Sequence, residues 1–489
     1  MAQVFAPLAV ALPTVAPKTI RAASRFALAA TLLTLIAGCG NTYRPVVSAI
    51  NPVGPAAQPE KFAVVISAPN TTAPGLVTFV DFAGDTVLIT ANVGVDPYYL
   101  VLNSAGTIGY TLNGDGTLTN FGISTALLSS QIFQTTLLNS NGVLPASIFP
   151  QGTFTYVTQP NSNLGSAFTT PPLGRNSIAE FTGGSPLNLQ QELPINPAFS
   201  PIYVAGITNG SRSFVISQAV GGGPGQVATI ENTTTATIDP NPITVGAGPV
   251  YGVETADARR VFILNQTDGT VSVINAQTNA LDIVPTGATN PITVGTSPLW
   301  ADFAPTRNEL VVANAGDGIN PGSLSIISIP LCNTTTQVTN PNCDLNNPVD
   351  AIGFGTVLAT VPVGVNPRMV GVLQDGTRAY VVNQGDPTRP CGPATGALPA
   401  NCSVSVVNLT TNTVSSTIPL VTTSPIAGVT PINNGHPNYI AVTTGTPTGK
   451  VYVTSPESEF MTVIRTDIDA VDTTVPLQGY GVSVRVTTP

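Results

Sequence analysis

From residue 61 onward the chain is built of short runs of apolar, β-branched and aromatic residues, each bounded by Gly, Pro, Asn or Asp. No stretch repeats its apolar positions with the spacing of an amphipathic helix. Runs of this length and make-up, punctuated by turn residues, predict β-strands joined by tight turns. The body is therefore expected to be all-β.

The strands recur in a fixed order. Residues 245–284 read VGAGPVYGVETADARRVFILNQTDGTVSVINAQTNALDIV, and 294–330 repeat the scheme as VGTSPLWADFAPTRNELVVANAGDGINPGSLSIISIP. A third copy joins VGVNPRMVGVLQDGTRAYVVNQ (363–384) to SVSVVNLTTNTVSSTIPL (403–420). Each unit runs Gly-x-x-Pro, an apolar strand, an Asp/Asn/Gly turn, an apolar-aromatic strand ending in Asn, then a third and a fourth strand. One such unit cannot bury both faces of its sheet, whereas neighbours stacked radially can. With Lys450-Val451-Tyr452-Val453-Thr454 in the last copy, these motifs resemble the Tyr-Val-Thr-Asn family of β-propeller repeats over nearly the whole body. The resemblance implies a ring of four-stranded antiparallel blades around a central channel.

Unit starts fall at Pro97, Pro145, Pro201, Pro249, Pro298, Pro367 and Pro437, at steps of 48, 56, 48, 49, 69 and 70 residues, so the last two units carry insertions. The chain ends complement each other. Residues 62–67, 75–81 and 86–91 look like the second to fourth strands of a unit, and 479–486 like a first strand with nothing after it. Sharing one blade between the N- and C-terminal strands gives a single propeller of eight blades. Seven is the alternative count, because the units at Pro97 and Pro145 match least well.

Composition narrows the partners. Only 8% of the residues are charged, against about 25% in an average protein, which excludes a coiled coil and charge-driven disorder. The 46 Gly and 45 Pro are what many turns require. With 16 basic residues against 25 acidic, the chain lacks the phosphate-neutralising surface of a nucleic-acid binder.

Residues 1–38 read as an export signal, with Lys18, Arg21 and Arg25 ahead of an apolar stretch from 26 to 37. That stretch is too short to span a bilayer, which takes about 20 apolar residues. It ends in Leu35-Ile36-Ala37-Gly38-Cys39, which resembles the lipobox of bacterial lipoproteins. The resemblance implies cleavage before Cys39 and acylation of Cys39 as the new N-terminus; a plain secretory signal that happens to contain a Cys is the alternative. The uncharged run before Lys18 is longer than such a signal needs, which fits an initiation point further in. Cleavage would leave a net charge of −12, so the acyl anchor and not a charged face would hold the membrane. Residues 39–60, rich in Pro, form a tether, and 61–489 the propeller. The expected location is the bacterial cell envelope, periplasmic or surface-exposed.

Four cysteines follow the anchor, and in an exported chain an even number reads as disulfides. Cys332 and Cys343 follow a third strand, whereas Cys391 and Cys402 lie between a second and a third. In an antiparallel blade those loops open on opposite faces, so the expected pairs are Cys332–Cys343 and Cys391–Cys402. Each would stabilise by roughly 3 kcal/mol through a short closed loop. A metal site is the rival reading, disfavoured by the lack of a Cys-x-x-Cys and by the sequence distance to His436.

Catalytic chemistry has little to draw on. His436 is the one histidine, in a Gly/Pro turn at the mouth of the last unit's first strand, where a lone His reads first as an exposed side chain. No Gly-x-Ser-x-Gly elbow has a His partner. Asn113-Gly114-Asp115-Gly116 has half of a calcium-loop pattern but reads better as a hairpin turn. Lactonase-type and quinoprotein-type propellers share the architecture; the first would need a His/Arg/Glu funnel, and Trp300 is the single Trp available to the second. No cofactor and no metal are expected.

Function is better sought in the loops. Connections 158–176, 218–226, 314–322, 384–402 and 443–449, with 455–460 nearby, are long and are expected at second-to-third strand positions, on the face of the Gly-x-x-Pro loops. They carry Arg175, Asp317, Asp386 and Arg389, with His436 beside them. Polar loops on one face of a rigid ring suit wet contacts with a protein or polysaccharide. The expected function is non-catalytic binding or scaffolding, with a lactonase-type hydrolase as the alternative.

Overall fold

The repeating strand is apolar on both sides. In Arg260–Asn265 (RVFILN) every residue is buried, and Glu309–Asn314 (ELVVAN) behaves alike. Such strands need a covered sheet on each face, and the computed structural model shows how that cover is supplied. It describes residues 62–124, 129–137, 144–160, 176–182, 185–282, 289–330, 353–392, 400–420, 435–443 and 449–487. The chain divides into units 1–56 and 57–489, and all described residues belong to the second.

The second unit is an all-β propeller of eight antiparallel sheets. Blades 1 to 7 begin with Pro97–Leu102, Ile148–Pro150, Phe199–Gly206, Pro249–Glu254, Pro298–Ala304, Pro367–Val372 and Tyr439–Val442. These first strands pack each against the next around a closed ring. Blade 8 is the shared one. Its innermost strand is Tyr480–Val486, followed outward by Phe62–Ala68, Pro74–Asp81 and Val87–Val95. Val65 faces Val484 and Ala63 faces Val486 across the antiparallel joint, so the C-terminal strand latches the ring as expected. The count of eight holds, and the units at Pro97 and Pro145 are both full blades.

The core is divided among the seams. Among the described residues, eight apolar clusters each join two neighbouring blades. Phe262 and Leu264 of blade 4, for example, pack with Leu310 and Val312 of blade 5.

The repeated Gly and Asn have a shared cause. In blades 1, 4, 5 and 6 the Asn ending the second strand lies against the Gly that precedes the blade's Gly-x-x-Pro proline. A Cβ on Gly246 would stand 2.7 Å from the Asn265 side chain, on Gly295 2.7 Å from Asn314, and on Gly364 2.6 Å from Asn383. Each Asn amide then donates to hydroxyls of the third strand. Asn265 Nδ2 reaches Thr270 at 3.0 Å and Ser272 at 2.9 Å, and Asn314 Nδ2 reaches Ser325 at 3.0 Å. The motif therefore ties three strands and the entry loop together.

Antiparallel order places second-to-third and fourth-to-first connections on one face. Segments 315–320 and 455–459 lie there, and 160–176 and 384–402 also join second to third strands, with 161–175 and 393–399 outside the described residues. Segment 443–449 does not: it joins Tyr439–Val442 to Lys450–Thr454, the first and second strands of blade 7, and so opens on the opposite face. The cause is a short first strand, which leaves the next connection looking like a later one.

Candidate functional site

On the loop face the segment after Asn383 is braced at many points. Gln384 Nε2 donates to Asn438 Oδ1 of blade 7 at 3.0 Å, and its Oε1 accepts from Asn366 Nδ2 at 2.9 Å. Asn401 Oδ1 accepts the Asp386 backbone N–H at 2.7 Å, while its Nδ2 donates to the carbonyls of Asp386 and Arg389 at 3.1 and 2.7 Å. Cys391 and Cys402 form the expected disulfide. Cys332, Cys343, Arg175 and Cys39 lie outside the described residues.

His436 is the pin of this loop. It is 9% exposed, not the exposed side chain expected of a lone His in a Gly/Pro turn. Its Nε2 faces the carbonyl oxygens of Asp386 and Arg389 at 3.2 and 3.1 Å, and its Nδ1 faces Glu457 at 3.0 Å. Acceptors stand at both nitrogens, so only the imidazolium satisfies both. Burial by itself lowers the His436 pKa, but the Glu457 carboxylate and the two carbonyls outweigh it and the pKa is raised. The ring and both sulfurs lie within 4.8 Å, so sequence distance was a poor guide here. The sulfurs are bonded to each other, which leaves no thiolate for a metal.

The remaining loop ions shape their own turns. Asp386 Oδ1 accepts the Thr388 hydroxyl and N–H at 2.6 and 2.8 Å, contacts that hold its pKa down. Asp317 accepts the N–H groups of Asn320 and Ile319 at 2.7 and 2.9 Å, which hold its carboxyl at about 2. Asn113 to Gly116 forms the expected hairpin turn between Ile108–Asn113 and Thr117–Gly122.

A second candidate site lies on the ring axis and was not read from the sequence. The residue two places after the unit proline is aromatic in five blades: Tyr99, Tyr203, Tyr251, Trp300 and Tyr439. Tyr203 and Tyr251 stand 4.9 Å apart between ring centroids, and Tyr251 and Trp300 4.2 Å. The Tyr203 hydroxyl lies near those of Tyr99 and Tyr251. Arg485, from the latch strand, lies over the Tyr439 ring at 5.4 Å and interacts electrostatically with Tyr99, Tyr203 and Tyr251. Side chains from blades 1, 3, 4, 7 and 8 can meet in this way only around the axis. Arg368 joins them beside Tyr439, where burial lowers its pKa. Asp302 completes the set; burial pushes its pKa up to about 6, although Val372 and Phe303 N–H groups donate to it at 2.8 and 2.9 Å. Aligning the units at their prolines would have exposed the aromatic position, but nothing local marks Arg368 or Arg485.

No protein-family model matches the chain, and no curated protein matches it in sequence. Similarity to solved structures is extensive. Apo AztD from Citrobacter koseri superposes with a TM-score of 0.53 at 11% identity, covering 87% of this chain and 97% of that one. The dihydro-heme d1 dehydrogenase NirN, in complex with DHE, gives 0.53 at 13% identity, covering 88% and 75%. A putative 6-phosphogluconolactonase from Bacteroides fragilis gives 0.48 at 12% identity, covering 88% and 98%. At such identities the likeness is one of fold: the chain is a β-propeller.

Proposed function

We propose that the chain is an exported propeller of the Tyr-Val-Thr-Asn repeat type, anchored to the cell envelope through acylated Cys39, whose loop face binds a protein or glycan partner without chemistry of its own. The observation that carries this reading is the bracing of residues 384–392 and 400–402. A disulfide, a buried imidazolium and the Asn401 and Gln384 contacts tie these two stretches to each other and to the start of blade 7. Ordering a loop before it meets its partner lowers the entropy lost on binding. Polar loops from other blades share the face and supply the wet rim that such contacts use.

Mass spectrometry of the mature protein tests the anchor, where an acylated Cys39 is expected and an unmodified terminus elsewhere would refute it. For the loop face, capture of envelope proteins and glycans by the wild type is compared with a variant whose 393–399 segment is replaced by Gly and Ser. Loss of a specific partner in the variant supports the reading. Unchanged capture, or turnover of lactones by the purified wild type, overturns it.

A further inference from the structure

We propose that the central channel is a binding site for a small organic anion, a carboxylate carried on a ring that can lie against an aromatic face. The argument starts from two cations. Among the described residues no carboxylate lies within 4.0 Å of Arg368 or Arg485. Arg485 Nη1 donates to the Val484 carbonyl at 2.9 Å, which leaves most of its N–H donors without a protein acceptor. Both side chains are half-buried. A guanidinium withdrawn from water without a counter-ion costs the fold free energy, and a bound anion removes that cost.

The neighbouring groups say what kind of anion. A guanidinium fork matches the two oxygens of a carboxylate. Arg485 lies over the Tyr439 ring at 5.4 Å, a cation–π contact that holds the guanidinium beside the axis. The other wall is the aromatic series Tyr203, Tyr251 and Trp300, in which Tyr251 packs against both neighbours and the part-exposed Tyr203 and Trp300 are left to meet a flat or pyranose ring by offset stacking or edge contact. Phenol hydroxyls supply hydrogen bonds to ring substituents. Asp302, on this wall, accepts the Val372 and Phe303 N–H groups and, among the described residues, forms no ion pair within 4.0 Å of either arginine.

Trp300 is the only tryptophan and reports on its own site. The full-length protein is titrated with 4-hydroxybenzoate and with glucuronate while Trp300 emission is followed, each beside its neutral counterpart, 4-hydroxybenzamide and glucose. A saturable change with either acid, absent with its counterpart, supports the proposal, and the acid that gives it distinguishes an aromatic from a sugar ligand. Arg368→Gln and Arg485→Gln should each weaken that binding about tenfold or more, with melting no lower than wild type in the absence of ligand. Equal response to acid and neutral partner, no response to either acid, or undiminished binding in both variants overturns it. Should a variant fail to fold, the acid-against-neutral comparison on the wild type decides.

Discussion

Lys450 and Asp85 stand 365 residues apart in sequence, yet Lys450 Nζ lies 2.7 Å from Asp85 Oδ1. The same ammonium donates to the Phe82 carbonyl at 2.5 Å and sits 5.0 Å from the centre of the Phe82 ring. Both charged side chains are nearly buried, at 10% and 3% exposure. The contact joins blade 7 to the N-terminal part of blade 8, and so adds a polar clasp to the latch formed by Tyr480–Val486.

Lys450→Met takes the ammonium away from the buried Asp85 carboxylate and should cost about 3 kcal/mol, read as a lowered denaturation midpoint. Adding Asp85→Asn to that variant should recover part of the loss. A single variant as stable as wild type would show that the clasp adds nothing to closure.

The Gly–Asn motif makes a coupled prediction. Gly295→Ala places a methyl 2.7 Å from Asn314 and should destabilise by about 1–3 kcal/mol. Asn314→Ala should also destabilise, since it strips the Ser323 and Ser325 hydroxyls of their donor. Because the second change makes room for the first, the double variant should lose less than the sum. Strict additivity in a double-mutant cycle would show that the close approach is relieved in some other way.

Glu254 predicts a pH dependence. It is 7% exposed, and burial, with a smaller contribution from Asp257, pushes its pKa up to about 7 against the partial relief of an Ile207 hydrogen bond. The native state therefore holds the proton more tightly than the unfolded chain, and stability falls as pH rises from about 4.5 through about 7. Glu254→Gln should flatten this slope and gain about 1–3 kcal/mol above about pH 8. Parallel thermal melts across the range check it; identical slopes would contradict it.

The His436 pin has the same sign by a different route. Folding raises its pKa, so the contribution is complete below the unfolded imidazole value and lost as pH rises through the folded one. Hydrogen exchange in residues 385–392 should quicken over that interval in the wild type and be fast throughout in His436→Ala. Exchange that ignores both pH and substitution would remove the imidazolium from the account.

The disulfide closes a span of 11 residues and should contribute roughly 3 kcal/mol. Cys391→Ala paired with Cys402→Ala should lower the thermal midpoint and quicken protease cleavage within 384–402 relative to wild type. Unchanged cleavage within 384–402 would show that Asn401 and His436 suffice to hold the described ends of the segment.

Much of the ring was legible because each cue is local. Turn residues bound strands such as VFILN and VSVIN, and the Gly-x-x-Pro spacing counts the blades. The unmatched strand 480–486 even pointed to its partner 62–68, since an incomplete blade at each end leaves one solution. What escaped depends on where the chain returns. Segment 443–449 fell on the wrong face because Tyr439–Val442 is only 4 residues long. The burial of His436 is set by Glu457 and by two carbonyls about fifty residues earlier, and no pattern around Pro437 encodes them. Arg368 and Arg485 look like ordinary strand residues until eight first strands converge. Ring closure creates the channel, so its chemistry is invisible before closure.

The shared blade also sets a timetable. Strand Phe62–Ala68, whose sequence FAVVISA is buried in six of 7 positions, is made well before Tyr480–Val486, the strand that covers its inner edge. Throughout synthesis or translocation this edge offers an unpaired ladder of N–H and C=O groups, the template on which strands of other chains add. A nascent molecule thus carries this apolar edge uncovered until Tyr480–Val486, made about 400 residues later, pairs with it.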